Sequence, residues 1–149
     1  MPKIENIKNQ ELKFEMNIRG IELLSSSFQY PKTPNPAITN FNFSISIETR
    51  ADAQKKNVFV IVHVDVNDAD QSVFLGALSV SCIYEIKNFE EVIKIDPDGK
   101  LNMPQAMIDI LNSISYSTVR GVMFSTFRGT FLHGAVLPII DPKQIQKKT

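Results

Sequence analysis

Few residues of this sequence have the types and spacing that catalysis or metal binding requires. The two histidines, His63 and His133, and the single cysteine, Cys82, lie far apart, so no zinc-ligand spacing is present. Cys82 with a histidine would supply a nucleophile and a base, but Cys82 alternates in phase with Val80 and Tyr84. That phase predicts a buried cysteine, and buried cysteines are mostly structural. We therefore predict that the protein is not an enzyme.

The acidic run from Asp65 to Asp70 resembles the start of a calcium-binding loop. Counted from Asp65, such a loop needs a glycine at its sixth position and a bidentate glutamate at its twelfth position. The sequence has Asp70 and Gly76 at these two places, and Gln71 follows Asp70. A hairpin turn is therefore the better interpretation of the run, and no metal site is predicted.

A pair of Arg-Gly steps, Arg120-Gly121 and Arg128-Gly129, resembles an RNA-binding pattern. Eight residues are just over two helical turns, so both arginines would share one side of a helix and cap or pair there. RNA binding also requires aromatic platforms and excess positive charge, whereas 16 basic and 16 acidic residues cancel here. The six glycines form no phosphate-binding loop. We predict no nucleic-acid partner and no cofactor.

The totals of the sequence indicate one globular domain in a reducing compartment. The 149 residues are 43% hydrophobic, without repeats or low-complexity tracts. One cysteine allows no intrachain disulfide. No segment approaches the roughly 20 apolar residues of a membrane span, and the N-terminus has no secretory h-region. We expect a cytoplasmic protein that does not insert into membranes.

Alternating apolar and polar residues predict four strands before any helix. The first is expected over Gly20–Tyr30, and the connector PKTPNPAITN follows it with three prolines, which neither a strand nor a helix continues through. Period-two patterns then predict strands over 41–49, 58–66 and 73–86. Short polar connections join these three, so they should form an antiparallel meander with the first strand as a fourth.

The strand over 58–66 is apolar on both faces, which a sheet covered on one side does not need. Its valines line one face, while Phe59, Ile61 and His63 lie on the other. Exposed apolar surface marks interaction sites. The pattern predicts a homo-oligomer or a client-binding surface at these residues.

Helical spacing begins after the turn Asp96–Gly99. A first helix should start at Pro104 and break near Ser113–Ser117, where poor helix formers cluster. A second should run to Arg128 with a stripe of Tyr116, Val119, Met123 and Phe127, and Gly129 should end it. A glycine at position 121 suggests that something packs close there. Strands followed by helices indicate an α+β fold.

Three of these segments together resemble the SecB-like protein-export chaperones. The connector PKTPNPAITN is similar to that family's crossover loop, YSTVRGVMFSTFRGTF to its long helix, and LHGAVL with Pro138 and Asp141 to its return segment. The resemblance spans Arg19 to Ile145. It divides the chain into an N-terminal arm or short helix over 1–18, a SecB-like domain over 19–145 and a basic tail over 146–149.

The resemblance implies a four-stranded antiparallel sheet with a crossover loop between strands 1 and 2, followed by two C-terminal helices. It also implies a homotetramer, a dimer of dimers, that holds unfolded polypeptide clients without ATP. Clients would lie in a groove lined by Tyr30, Pro34, Pro36, Ile38, Phe41, Met123, Phe127 and Phe131. The neutral chain and the basic tail depart from the acidic surface of the export members, which argues against docking to SecA. A dedicated chaperone or adaptor for one partner, such as an antitoxin, is the alternative.

Overall fold

Four long antiparallel strands dominate the fold, which a computed structural model describes for residues 13–30, 40–70, 73–141, 144 and 146–147. They are β1 (Met16–Phe28), β2 (Phe41–Asp52), β3 (Asn57–Asp68) and β4 (Phe74–Ile86). Their order in the sheet is β1–β4–β3–β2, so the connection between β1 and β2 joins opposite edges. The predicted α+β fold and four-stranded antiparallel sheet are confirmed. The first strand begins at Met16 and ends at Phe28, earlier at both ends than predicted.

Shorter elements follow the sheet. They are α1 (Phe89–Val92), the hairpin of β5 (Lys94–Ile95) and β6 (Leu101–Asn102), helix α2 (Gln105–Thr126), a 3₁₀ turn (Phe131–Gly134) and β7 (Gln146–Lys147). The β5–β6 hairpin closes at the predicted turn, where Asp96 N–H donates to the Lys100 carbonyl and Gly99 has φ +86°. β7 pairs in parallel with β2 at the far edge of the sheet.

The prediction of two helices separated near Ser113–Ser117 was wrong, because α2 is continuous over Gln105–Thr126. Serine and threonine disfavour helix interiors because their hydroxyls can bond backbone groups in other conformations, but a hydroxyl that finds an acceptor within the helix or on another element leaves the helix intact. Here the Thr118 hydroxyl donates to the carbonyl one turn earlier at 2.8 Å. Ser115 is fully buried and its hydroxyl lies 2.7 Å from that of Tyr84. The helix therefore continues through the serine-rich segment and is followed by a 3₁₀ turn instead of a second helix.

The core lies between one face of the sheet and the inward face of α2. The five alternating valines of β3, from Val58 to Val66, are fully buried there, as the sequence predicted. On the helix, Met107, Leu111 and Val119 face them. Burial of a side chain of this size contributes about 1.5–3 kcal/mol, so these rows fix α2 across β3 and β4.

Raising the pH should destabilise the fold, because a tyrosine hydroxyl is buried in this core. Burial raises the pKa of Tyr84 from its ordinary value of 10 to about 12. The folded state then holds this proton more tightly than the unfolded state, so the contribution is complete below pH 10 and is lost as the pH rises to about 12. We expect the free energy of unfolding to fall across that interval in denaturant titrations.

Tyr84→Phe provides the control for this pH dependence. It should lower the free energy of unfolding at neutral pH by about 1 kcal/mol, because Ser115 loses its partner. It should also make the alkaline fall shallower, leaving the part due to Tyr116 and Cys82, whose pKa values burial also raises. An unchanged alkaline slope in the variant would show that Tyr84 is not its source.

Candidate functional site

An exposed aromatic cluster lies where β1 ends and the 3₁₀ turn follows α2. The rings of Tyr30 and Phe131 have centroids 4.8 Å apart. Phe28 meets Phe131 at 6.0 Å and Tyr30 at 6.1 Å, in both cases edge to face. Tyr30 is 70% exposed and Phe28 45%. The three rings, named here the aromatic cluster, form an apolar surface directly before the proline-rich connector.

Local sequence positions this cluster by ending α2 and folding the chain into a tight turn. Gly129 adopts φ +78°, a conformation that glycine takes without strain. The Thr130 hydroxyl then donates to the Phe127 carbonyl at 2.7 Å and accepts from the Leu132 N–H at 3.2 Å. Gly76 of β4 makes room for the turn, since a Cβ there would lie 2.7 Å from the Leu132 side chain. Phe131 is thereby held against the end of β1.

The structure brings together only part of the predicted groove. Tyr30 and Phe131 meet in the aromatic cluster, and Phe41 lies half-buried nearby, with its ring 4.0 Å from a Cβ built on Gly134. Met123 is 0% and Phe127 2% exposed, so both belong to the core of the protomer and offer no surface to a client. They lie on the inward face of α2, which packs on the sheet. The remaining predicted groove residues, Pro34, Pro36 and Ile38, lie outside the described residues.

Sequence reasoning missed three exposed aromatic residues of the described ranges, Phe28, Phe74 and Phe124. Phe124 is 46% exposed and its ring lies 5.0 Å from that of His133. Phe124 lies off the stripe predicted for the helix, and no role was predicted for it. The sequence feature that could have identified Phe28 is its position two residues before Tyr30, at the end of a strand. His133, once a candidate base, is an exposed stacking partner.

The return segment after the turn is tied to α2 by a tyrosine and an arginine. The Tyr116 hydroxyl and the Arg120 guanidinium both donate to the Pro138 carbonyl, and Arg120 Nε donates to the Leu137 carbonyl at 3.0 Å. The guanidinium also lies 5.2 Å from the centre of the Tyr116 ring. Arg120 therefore has a structural role, as predicted for the Arg-Gly steps. Directly after these hydrogen-bonded residues, Ile139 is 92% exposed.

The outward face of α2 combines exposed apolar side chains with small residues. Ile110, Ile114 and Phe124 are 40–46% exposed on it. Between them lie small exposed residues, namely Ser113, Ser117, Gly121 and Ser125. A Cβ on Gly121 would meet nothing within 4 Å, so the close packing predicted there is not made within the protomer. Small residues on a helix allow another backbone to approach closely.

The inward face of β1 is incompletely covered by its own protomer. Ile21 and Leu23 pair with Cys82 and Val80, which belong to the buried face of β4. Both β1 residues are nevertheless 47% exposed, because α2 packs mainly over β3 and β4. β1 is also the edge of the sheet. An edge strand with exposed apolar side chains favours association with another chain.

The face of the sheet opposite α2 includes the row of β3 that was predicted to serve in assembly, Phe59, Ile61 and His63. Ile61 is 9% exposed, and Phe59 and His63 are half-buried. Neighbouring side chains cover much of this row, so its free apolar area is smaller than the sequence suggested. The predicted role of these residues in assembly stays a prediction.

A row of polar side chains beside Ile61 resembles a catalytic triad in composition. His63 Nδ1 lies 2.7 Å from the Ser79 hydroxyl, and His63 Nε2 lies 3.5 Å from a Glu48 carboxylate oxygen. The pKa of Glu48 is lowered, chiefly by the hydrogen bond from Arg50 at 2.7 Å and then by His63. Main-chain N–H groups in central strands are engaged in the sheet, so they are not available to stabilise an oxyanion. The His63, Ser79 and Glu48 side chains form a polar row on the sheet face opposite α2, in which His63 Nε2 is buried without a hydrogen-bond partner among the described residues.

Cys82 lies on the buried face of β4, as its alternation predicted. It is 0% exposed, and burial raises the pKa of its thiol. A buried thiol with a raised pKa is a poor nucleophile. Among residues 13–30, 40–70 and 73–141, no group of three metal-ligating side chains comes together. No helix in the described part of the chain has the length and apolar character to cross a membrane.

Comparison with solved structures identifies the fold. The Rv1957 SecB-like chaperone of Mycobacterium tuberculosis, in complex with a ChAD peptide from the Rv1956 HigA1 antitoxin, superposes with a TM-score of 0.57 at 16% identity. The match covers 84% of this chain and 90% of that one. A Streptococcus agalactiae protein of unknown function matches with a TM-score of 0.45 at 12% identity, over 86% of this chain and 100% of that one. Neither protein-family models nor curated proteins match the sequence. The chain thus has a SecB-like fold, with the aromatic cluster at the end of its first strand.

Proposed function

We propose that this protein is an ATP-independent chaperone, a holdase, that binds unfolded or nascent polypeptides at the aromatic cluster. The observation that carries the proposal is the exposure of Phe28 and Tyr30 against Phe131 on a SecB-like fold. Aromatic rings bury large areas with few rotatable bonds, so they bind diverse apolar segments without demanding one sequence. The binding needs no nucleotide, cofactor or catalytic residue, and we place the protein in the cytoplasm.

A dedicated chaperone or adaptor for one partner is the second candidate function. It is favoured by the solved SecB-like chaperone that holds a peptide from an antitoxin. The neutral charge of the present chain also lacks the acidic character expected for SecA docking. We therefore propose unfolded polypeptides as partners, either broadly or as one antitoxin-like protein, and neither SecA nor nucleic acid.

Client breadth separates the two functions. Several unrelated proteins are chemically denatured and diluted into buffer with a molar excess of this protein, and light scattering follows their aggregation. A holdase slows aggregation of all of them without ATP. If the protein slows the aggregation of none of them but captures a single protein from the native host, the dedicated chaperone is the function that remains. Failure in both experiments would overturn the proposed function.

We further propose that the protein assembles as a dimer of dimers. Two surfaces support this: the uncovered inward face of β1, with Ile21 and Leu23, and the outward face of α2 around Gly121. Ile21, Leu23, Ile110, Ile114 and Phe124 supply exposed apolar area on these two surfaces, and the space beside Gly121 allows another backbone to approach closely. Apolar surfaces of this kind suit a second copy of the same chain. Light scattering should report a tetramer, or at least a dimer.

Leu23→Lys should weaken this assembly without unfolding the protomer. The Leu23 side chain is already 47% exposed, so a lysine there can reach water in the monomer. In a shared interface its charge would be buried without a partner, which costs desolvation free energy. We expect a smaller species by light scattering at micromolar concentration. Ser25→Lys adds the same charge to the same strand, at a residue that pairs with Ser79 on the opposite face, and should leave the size unchanged. Equal effects of the two variants would contradict the assignment of this face.

A further inference from the structure

β7 covers only a small part of the second edge of the sheet. Its two residues pair in parallel with β2, Gln146 with Ser46 and Lys147 with Ile47. β2 has 12 residues, so among the described residues most of this side of the strand has no strand partner. Parallel pairs are slightly less stable than antiparallel ones, and two residues make few hydrogen bonds. We therefore expect β7 to be weakly bound to the edge of β2, which can pair with other strands.

A cleft of about 300 Å³ opens beside the next residues of the same edge. Its lining comes from β2 and from the β5–β6 hairpin, and consists of Thr49, Arg50, Ala51, Ile95, Gly99 and Leu101. The single charged group in this lining, Arg50, is paired with the Glu48 carboxylate. The cleft thus offers an uncharged, partly apolar site. It begins two residues after Ile47, in the direction in which β7 runs.

We propose that β7 is a displaceable strand, which an extended apolar segment of a client replaces on the β2 edge while placing a side chain in the cleft. This inference rests on the proposed holdase function and adds a site and a competitor to it. Main-chain pairing accepts almost any sequence, and the cleft selects apolar side chains. The tail then acts as an internal competitor, since apparent affinity falls by the fraction of molecules whose edge is free.

Proline substitution in β7 tests the competition. Gln146→Pro removes a main-chain N–H and disfavours strand pairing, whereas Gln146→Ala retains both the length and the backbone of the tail. The probe is fluorescently labelled, reduced and carboxymethylated lactalbumin, a permanently unfolded chain. We expect Gln146→Pro to bind it about threefold to tenfold more tightly than the parent, because roughly one or two net hydrogen bonds no longer compete. Gln146→Ala should match the parent.

Hydrogen exchange shows where the probe binds. Binding to the parent should slow amide exchange over residues 48–52 and accelerate it over 144–147. Equal affinities of the three proteins, or protection that leaves residues 46–52 unchanged, would overturn the inference while the proposed function stands. If Gln146→Pro binds the probe and the parent and Gln146→Ala do not, the result would support a tail that blocks the β2 edge completely. Absence of binding by all three would overturn both the inference and the proposed function.

Discussion

Phe127→Asp should abolish the folded protomer and not merely its binding of clients. Phe127 is 2% exposed in the core cluster, at the residue that follows α2. Removing such a ring costs about 3–5 kcal/mol, and an aspartate would additionally place a charge in an apolar environment. Because small domains are stable by only about 5–15 kcal/mol, most of the stability should be lost. Circular dichroism and denaturant titration measure this directly.

Phe124→Asp is the matched control, with the same substitution three residues earlier, in the last turn of α2. Phe124 is 46% exposed, so an aspartate there remains in water and the protomer should stay folded. The prediction fails if Phe127→Asp folds with near-parental stability and loses only client affinity. That result would return Phe127 to the client groove inferred from the family resemblance. Because Phe124 lies on the outward face of α2, sizing of this control also tests the assembly surface.

Removing two rings of the aromatic cluster should weaken client binding strongly while preserving the fold. Tyr30→Ser combined with Phe131→Ser takes away two rings that lie 4.8 Å apart. Aromatic anchors at binding surfaces commonly contribute about 2 kcal/mol or more, so the dissociation constant of an unfolded probe should rise at least tenfold. Tyr30 is 70% exposed, so its loss removes little core packing, whereas Phe131 is half-buried against the core, so circular dichroism accompanies the titration to verify the fold. Fluorescence titration with carboxymethylated lactalbumin provides the measurement.

Tyr30→Phe separates the ring from its hydroxyl in the same assay. It keeps the apolar face of the ring, so it should bind the probe within about twofold of the parent, an amount below one net hydrogen bond. A double serine variant that stays folded and binds as tightly as the parent would move the client site elsewhere. The β2 edge is then the next surface to test, because its cleft lies outside the aromatic cluster.

Local pattern was sufficient to predict much of this fold. The alternating valines of β3 define one buried face on their own, and all five are buried. The turn at Asp96–Gly99 occurs where predicted, and Gly129 takes the left-handed conformation expected after a helix, although α2 ends at Thr126, two residues before the predicted Arg128. The order of strands, connector and helix also supported the resemblance to a SecB-like fold. These features are encoded within a few neighbouring residues, so no tertiary information was needed.

Other features were decided by contacts between residues distant in sequence. The serine-rich stretch of α2 remains helical because Ser115 finds the Tyr84 hydroxyl on β4. Helical spacing placed Phe127 on one stripe with Tyr116, Val119 and Met123, but only the packing of α2 over β3 and β4 makes this stripe part of the core and not a client surface.

The candidate site shows the same division. Sequence predicted Tyr30 and Phe131 through the family resemblance, but their approach to Phe28 depends on Gly76 admitting the Leu132 side chain. The uncovered face of β1 could not be predicted, because it results from the short reach of one helix across a wide sheet. The sequence by itself thus determined the four long strands, the buried faces of β3 and β4 and the inward stripe of α2, but not the continuity of α2. Only the tertiary structure decided which apolar side chains remain exposed for binding, because exposure depends on what the rest of the chain covers.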